Sequence, residues 1–140
     1  MEPKTDCIFC NIIAGQIPCH KIHETQHTIS FLDIYPHVKG HTVIIPKQHI
    51  VLLEEATEPI LTHIMQDIQK TMNIINNTLH PGGFNIGWNN GKLAGQVVPH
   101  LHIHIFPRYE GDGGDSFHAI IKNPGPTPVA EIAKLFSNKN

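Results

Sequence analysis

The hydrophobic positions of this chain fall into runs of two different periods. Ile8, Phe9, Ile12 and Ile13 share one helical face and Gly15 can cap it, which predicts a short helix between Cys7 and Gly15. From Cys19 to Asp33 the β-formers Ile22, Ile29 and Phe31 alternate loosely with polar residues until Tyr35-Pro36 interrupts them, giving strands near 19–23 and 27–33. The Lys39-Gly40 turn leads into His41-Thr-Val-Ile-Ile45, a β-branched run stopped by Pro46, which reads as a third strand buried on both faces.

Thr57-Glu58-Pro59 is a helix start, and Ile60, Ile64, Ile68, Met72, Ile75 and Leu79 follow at helical spacing, predicting a long helix over 58–79 that ends at His80-Pro-Gly-Gly83. In the strand at 84–88, alternation puts Phe84, Ile86 and Trp88 toward a core and Asn85 and Asn89 away from it. After the Asn90-Gly91 turn, residues 97–106, closed by Pro107, form the best strand in the sequence. Residues 108–123 are glycine-rich and loosely patterned, and a short helix over 127–136 follows. Without repeats or linkers, this order reads as α+β: a mainly antiparallel sheet with one long and two short helices on one face.

Length and charge narrow the function. The 140 residues, 40% hydrophobic and 16% charged, suit a single domain over 1–140 with one core. A formal charge of −2 gives no footprint for generic nucleic-acid binding. No stretch approaches the roughly 20 apolar residues of a membrane span, and the first residues lack a secretory pattern, so a soluble, cytoplasmic protein is expected. The Cys7-Ile-Phe-Cys10 pair points to metal or redox chemistry before a disulfide scaffold. Alone it is half a zinc site, and the redox reading lacks a βαβ context. Cys19 reads as an inert buried thiol. The 12 histidines are scattered and not contiguous, which excludes a tag or metal tract.

Three of those histidines carry the chemistry. In a strand, His100, His102 and His104 stand on one face in steps of about 6.5–7 Å while Leu101, Ile103 and Ile105 pack behind them. The row reads as a solvent face, a metal site made by all three, or a catalytic array; neighbours on one straight strand converge poorly on a tetrahedral ion. A neutral imidazole can attack an electrophile if its other nitrogen holds the proton and is itself held. Asn89, Asn90 and Gly91 by themselves read as an ordinary turn. Ile8, Ile12 and Phe31 read equally as core residues, and His20, His23, His27, His63, His80 and His118 as surface residues.

The segment His100-Leu-His102-Ile-His104-Ile-Phe106 resembles the His-X-His-X-His-X-X signature, with X apolar, of the histidine triad family of nucleotide hydrolases and transferases. Cys7-Ile-Phe-Cys-Asn-Ile-Ile13, Phe31-Leu-Asp-Ile34, Gly40 through His49, Asn89-Asn-Gly91 and Gly95-Gln96 resemble its other landmarks in order. The likeness covers about residues 7–109, leaves 110–140 as an extension, and is nearest to the compact cysteine- and zinc-containing branch found in bacteria. It implies that His102 attacks the α-phosphorus of a purine nucleoside phosphate derivative. His104 and His41 would then supply hydrogen bonds to phosphate or leaving group, and Asn89 and Gln96, with N–H groups of the 91–96 loop, would meet the phosphate. Val97 stands where the family usually has a serine or threonine that holds a phosphate oxygen.

The resemblance further implies that Asp33 takes the ribose hydroxyls and that Phe9, Ile12, Phe31 and Ile34 wall the base. Cys7, Cys10, His49 and His100 would hold one structural zinc, a sensible fastening for a small domain. A homodimer with a sheet continued through both subunits is expected. The function is expected to be cleavage at the α-phosphate of purine nucleoside 5′-phosphoramidates or dinucleoside polyphosphates through a nucleotidyl-histidine. A non-catalytic purine-nucleotide-binding regulatory module is the main rival, followed by a metal-handling protein and by repair of adenylated DNA ends, for which this chain has no basic extension.

Overall fold

The computed structural model describes residues 4–137. Its centre is β3 (Thr42–Pro46), where every residue is buried, as the unbroken β-branched run predicts. Successive residues point to opposite faces, so β3 feeds two clusters. Ile44 packs with Ile103 and Ile105 of β5 (Ile103–Arg108) and with Ile64, Ile68 and Ile75 of α2 (Glu58–Leu79). Val43 and Ile45 pack with Ile29 and Phe31 of β2 (Thr28–Leu32) and with Phe9, Ile12 and Ile13 of α1 (Ile8–Ile13). Each such side chain contributes about 1.5–3 kcal/mol by leaving water.

With β1 (Lys21–Glu24) and β4 (Gly83–Gly87) the sheet runs β1-β2-β3-β5-β4, and every pairing is antiparallel. The long helix starts with Pro59 in its first turn and ends at His80, whose φ of 52° places it in the left-handed region. It is also tied to the sheet by polar contacts: the buried Asp67 carboxylate accepts hydroxyl hydrogens from Thr25 and Thr28, both at 2.7 Å, and Ser30 meets Thr71 at 3.1 Å. Among the described residues no helix is long and apolar enough to cross a membrane.

The fold class is as expected, but several details differ. The helices do not share one face: α1 covers the Val43 side of the sheet and α2 the Ile44 side, because β3 offers apolar residues to both. The strand expected over 97–106 begins only at Ile103, since the backbone of 97–102 is not laddered, and it runs through Pro107. Pro107 is tolerated because β3 pairs with β5 only from Ile103 to Ile105, so the missing N–H faces an unpaired side. Trp88 does not enter the core: β4 stops at Gly87, and Trp88, 39% exposed, donates its ring N–H to Asn90 Oδ1. His23, His27 and His63 are half-buried instead of lying on the surface, the last two stacked at 3.5 Å, and Cys19 is only half-buried. The last helix, α3 (Val129–Phe136), is exposed throughout.

Candidate active site and metal cluster

The alternation at the start of β5 divides the site from the core. Leu101, Ile103 and Ile105 are at most 2% exposed, whereas His102 and His104 lie half-buried on the α1 side, with ring centroids 5.2 Å apart. Phe9 of α1 packs on His102 at 5.0 Å and on Phe31 at 6.1 Å, joining the apolar wall to the histidine row.

Hydrogen bonds fix which nitrogen of each imidazole carries the proton. His102 Nδ1 lies 2.7 Å from the carbonyl oxygen of His100; a carbonyl only accepts, so Nδ1 carries the hydrogen and Nε2 keeps its lone pair. The backbone N–H of His37 donates to His41 Nδ1 at 3.2 Å, which puts the His41 proton on Nε2. That Nε2–H donates to His104 Nδ1 at 2.9 Å, so His104 carries its own hydrogen on Nε2. The row therefore holds a lone pair at His102 Nε2 beside an N–H at His104 Nε2. Burial first, then the nearby His102 and His41, hold the His104 pKa down at about 4, and burial also lowers His41, so both stay neutral at physiological pH.

His41 is 1% exposed and both its nitrogens are engaged within the chain, which makes it a positioning residue for His104. His37, which the sequence reading passed over, completes that relay through its backbone, so no side-chain signal announces it. Asp33 lies just past β2, its Oδ1 accepting the Tyr35 N–H at 2.8 Å and its Oδ2 3.6 Å from His41 Nε2. Phe9 and Ile12 are half-buried, Phe31 is buried, and Ile34 stands 69% exposed at the rim.

Gln96 does not face the site with a free amide. Its Oε1 accepts the Gly91 N–H at 2.8 Å and its Nε2 donates to the carbonyls of Val51 and Val98 at 3.0 and 3.2 Å, so it holds the loop in shape. The N–H groups of Gly91, Ala94, Gly95 and Gln96 are likewise consumed inside the loop, contrary to the expectation that they await a phosphate. Among the described residues the N–H groups of Val97 and Val98 have no acceptor. The adjacent asparagines divide roles: Asn90 Oδ1 accepts from Leu53 N–H and Trp88, whereas Asn89 is exposed and makes one long contact, 3.4 Å, to the Gly95 carbonyl.

On the other side of His100 lies a buried cluster. Cys7, at the N-cap of α1, and Cys10, one turn later, converge with His49 and His100 so that one donor atom of each lies within 4.8 Å of all the others. The separations are 3.4 Å for Cys7 Sγ to His100 Nδ1, 3.2 Å for Cys10 Sγ to His49 Nδ1, and 3.1 Å between the two Nδ1 atoms. Edges of a tetrahedron with metal–nitrogen distances near 2.0–2.1 Å and metal–sulfur near 2.3 Å are about 3.3–3.8 Å, so the set fits a closed zinc-type shell with modest expansion. His100 donates Nε2–H to the Pro46 carbonyl at 2.9 Å, which leaves its Nδ1 lone pair facing the cluster. The four residues can hold a metal ion. Burial lowers the pKa of His100 to about 4 and pushes the Cys10 thiol up.

Residues 14–111 match the profile of the HIT domain. A HIT-like protein of Methanocaldococcus jannaschii is 46% identical over 107 residues, 76% of this chain and 82% of that protein. An adenosine 5′-monophosphoramidase of Candida albicans is 41% identical over 112 residues, 77% of this chain and 74% of its own length. Among solved structures, a zinc-bound histidine triad family protein of Mycobacterium smegmatis superposes with a TM-score of 0.73 at 36% identity, covering 86% of this chain and 84% of that one. With the histidine row leading into β5 and the Cys/His cluster beside it, these matches identify the chain as a member of the HIT family.

Proposed function

We propose that this protein is a nucleotide hydrolase or nucleotidyl transferase that cleaves purine nucleoside 5′-phosphoramidates or dinucleoside polyphosphates at the α-phosphate. The observation that carries the reading is the tautomer of His102: a held Nδ1–H and a free Nε2 lone pair, next to an Nε2–H on His104. His102 Nε2 attacks phosphorus and the bond to the leaving group breaks, while the neutral His104 keeps its proton and its Nε2–H hydrogen-bonds the departing atom, which takes its proton from water. Water then attacks the phosphorus of the cationic nucleotidyl-histidine, its proton passes to solvent, and the nucleoside monophosphate is released with His102 neutral again.

Asn89 and the N–H groups of Val97 and Val98 supply neutral donors to the phosphate oxygens, a backbone substitute for the hydroxyl that Val97 lacks. Asp33 receives ribose hydroxyls, and Phe9, Ile12, Phe31 and Ile34 close on the purine. The activity named for the Candida relative favours a phosphoramidate. Cys7, Cys10, His49 and His100 hold one zinc, which when bound fastens α1 to the sheet and leaves no open position for substrate. We read the molecule as a single domain with residues 110–140 as an extension, cytoplasmic, and homodimeric, with β4 at the sheet edge available to continue it.

The test is His102→Ala assayed with adenosine 5′-phosphoramidate, with wild type quenched in acid-free denaturant to trap the nucleotidyl adduct. Turnover should fall by more than about 100-fold, the equivalent of about 3 kcal/mol of barrier, while AMP binding persists. An adduct mass on wild type and none on the variant is expected. Wild type that binds AMP but shows no turnover and no adduct would instead make the protein a nucleotide-binding regulatory module.

A further inference from the structure

The helix side of the sheet is not sealed along the whole of α2. Leu32 and Thr42 are paired across β2 and β3 and face that side with Ile44, so they look away from His41 and the histidine row. Between them and the last turns of α2 lies a cleft of about 260 Å³, walled by Ile22 of β1, Leu32, Ile74 and Leu79. Leu79 lies over Gly40, where an added Cβ would collide with its Cδ1. Ile22, Leu32 and Ile74 are half-buried and belong to neither apolar cluster; they border the cleft instead of the packed core.

The polar groups of the cleft say what it can take. Both hydroxyls have their hydrogens engaged: Thr42 Oγ1 donates to the Gly40 carbonyl at 2.8 Å and Thr78 Oγ1 to the Ile74 carbonyl at 2.7 Å. A sugar or peptide would lose water here and find no donor in return. Lys39 is the one charged residue among the described residues that line the cleft. Its ammonium is held at the rim, 4.9 Å from the centroid of the Tyr109 ring, and the Tyr109 hydroxyl donates to the Lys39 carbonyl at 3.0 Å. Among the described residues no carboxylate pairs with it. The cleft therefore combines apolar walls with one unanswered positive charge.

We infer that this cleft is a binding site for a free medium-chain fatty acid, with the acyl chain among Ile22, Leu32, Ile74 and Leu79 and the carboxylate on Lys39. Benzene occupies a cavity of about 150 Å³, roughly 25 Å³ per carbon, so a cleft of about 260 Å³ takes about ten carbons. Each methylene moved from water into it tightens binding by up to about fourfold. An alkylammonium of the same length meets Lys39 as a like charge and binds less well. The site is independent of the nucleotide chemistry, because β3 turns Thr42 to the cleft and His41 to the opposite face.

The test is an amide chemical-shift titration of the isotopically labelled full chain with sodium hexanoate, octanoate and decanoate below their micelle concentrations, and with 1-octanol and octylammonium. Kd should fall at least about fivefold for each two methylenes added, with the shifts centred on Leu32, Gly40 and Ile74, and saturating AMP should not displace the acid. Thr78→Trp, at an exposed helix position, fills the cleft and should weaken decanoate at least about tenfold. Lys39→Gln should weaken octanoate about threefold and leave 1-octanol unchanged, and it stands as a test of its own should Thr78→Trp fail to fold. A flat chain-length series, octylammonium bound as well as octanoate, displacement by AMP, or affinities unchanged in both variants overturns the site. Binding to phosphatidylglycerol vesicles but not to the monomeric acids makes the cleft a membrane contact, and a lower mass of Thr78→Trp in light scattering makes a second copy its occupant; either result overturns the inference.

Discussion

Replacing His41 by leucine should separate attack on phosphorus from departure of the leaving group. The side chain is 1% exposed, so leucine fills most of its volume, and what disappears is the Nε2–H that His104 Nδ1 accepts at 2.9 Å. His104 Nδ1 then becomes a poorly solvated acceptor without a donor, a state that costs about 1–3 kcal/mol. The imidazole relieves that cost by leaving its native orientation or tautomer, and its Nε2 no longer presents hydrogen to the substrate. Turnover that requires a protonated leaving group should slow by roughly 5- to 150-fold, the rate equivalent of the same energy. His102 keeps its own anchor on the His100 carbonyl, so attack on phosphorus is spared. An adenosine 5′-aryl phosphate with an acidic phenol leaves as an anion, and its turnover should change by less than about threefold. Initial rates of AMP release from both substrates, with the melting temperature as a check on folding, make the comparison. Equal slowing on both, or none on the phosphoramidate, would refute the relay from His37 through His41 to His104.

Cys10→Ser should lower zinc content to well below one per chain and the melting temperature on the order of 10 °C, while reducing the rate per folded molecule far less; a wild-type protein purified with under about 0.2 zinc per chain and indifferent to chelator would dismiss the metal. The depressed pKa of His104, about 4, means that the unfolded chain takes up its proton first as pH falls. Its contribution to stability is whole above about pH 6.5 and drains between there and about 4, so His104→Asn should flatten the acid decline of urea-unfolding stability; parallel slopes would show that His104 is not held neutral. Light scattering at micromolar concentration should give about 31 kDa, twice the 15.6 kDa of the chain, and a monomer mass would remove the dimer.

What was legible in the sequence followed from period and punctuation. Leu101, Ile103 and Ile105 against His102 and His104 could be assigned to opposite faces because a period of two survives even where the ladder does not. The start of β5 was not legible, since residues 98–100 form a bend in which the His100 N–H donates to the Val98 carbonyl, Leu101 donates to the Ile50 carbonyl, and the His100 side chain turns into the Cys/His cluster. Cys7 and Cys10 announce half a metal site by spacing, whereas His49 and His100 join it from segments 51 residues apart, which only the resemblance supplied. An amide such as Gln96 looks the same in sequence whether it faces a ligand or a loop; Gly91, Val51 and Val98 decided it. Asp67 lies next to the helix stripe marked by Ile64 and Ile68, and its two hydroxyl partners come from the β1–β2 turn and β2, about forty residues away in sequence.

The alternation in β5 has a bearing on which length changes this lineage can tolerate. The same residues that form the core, Leu101, Ile103 and Ile105, are interleaved one for one with the groups that do chemistry. Deleting or inserting one residue between 101 and 106 would drive imidazoles into the apolar cluster and aliphatic side chains onto the site, so folding and activity fail at a single stroke. Gaps should therefore be absent from that stretch in any functional variant, while the exposed segment from Gly111 to Pro128 can lengthen, shorten or be exchanged. Variation is then free to accumulate in a region where altered length carries little penalty for the core.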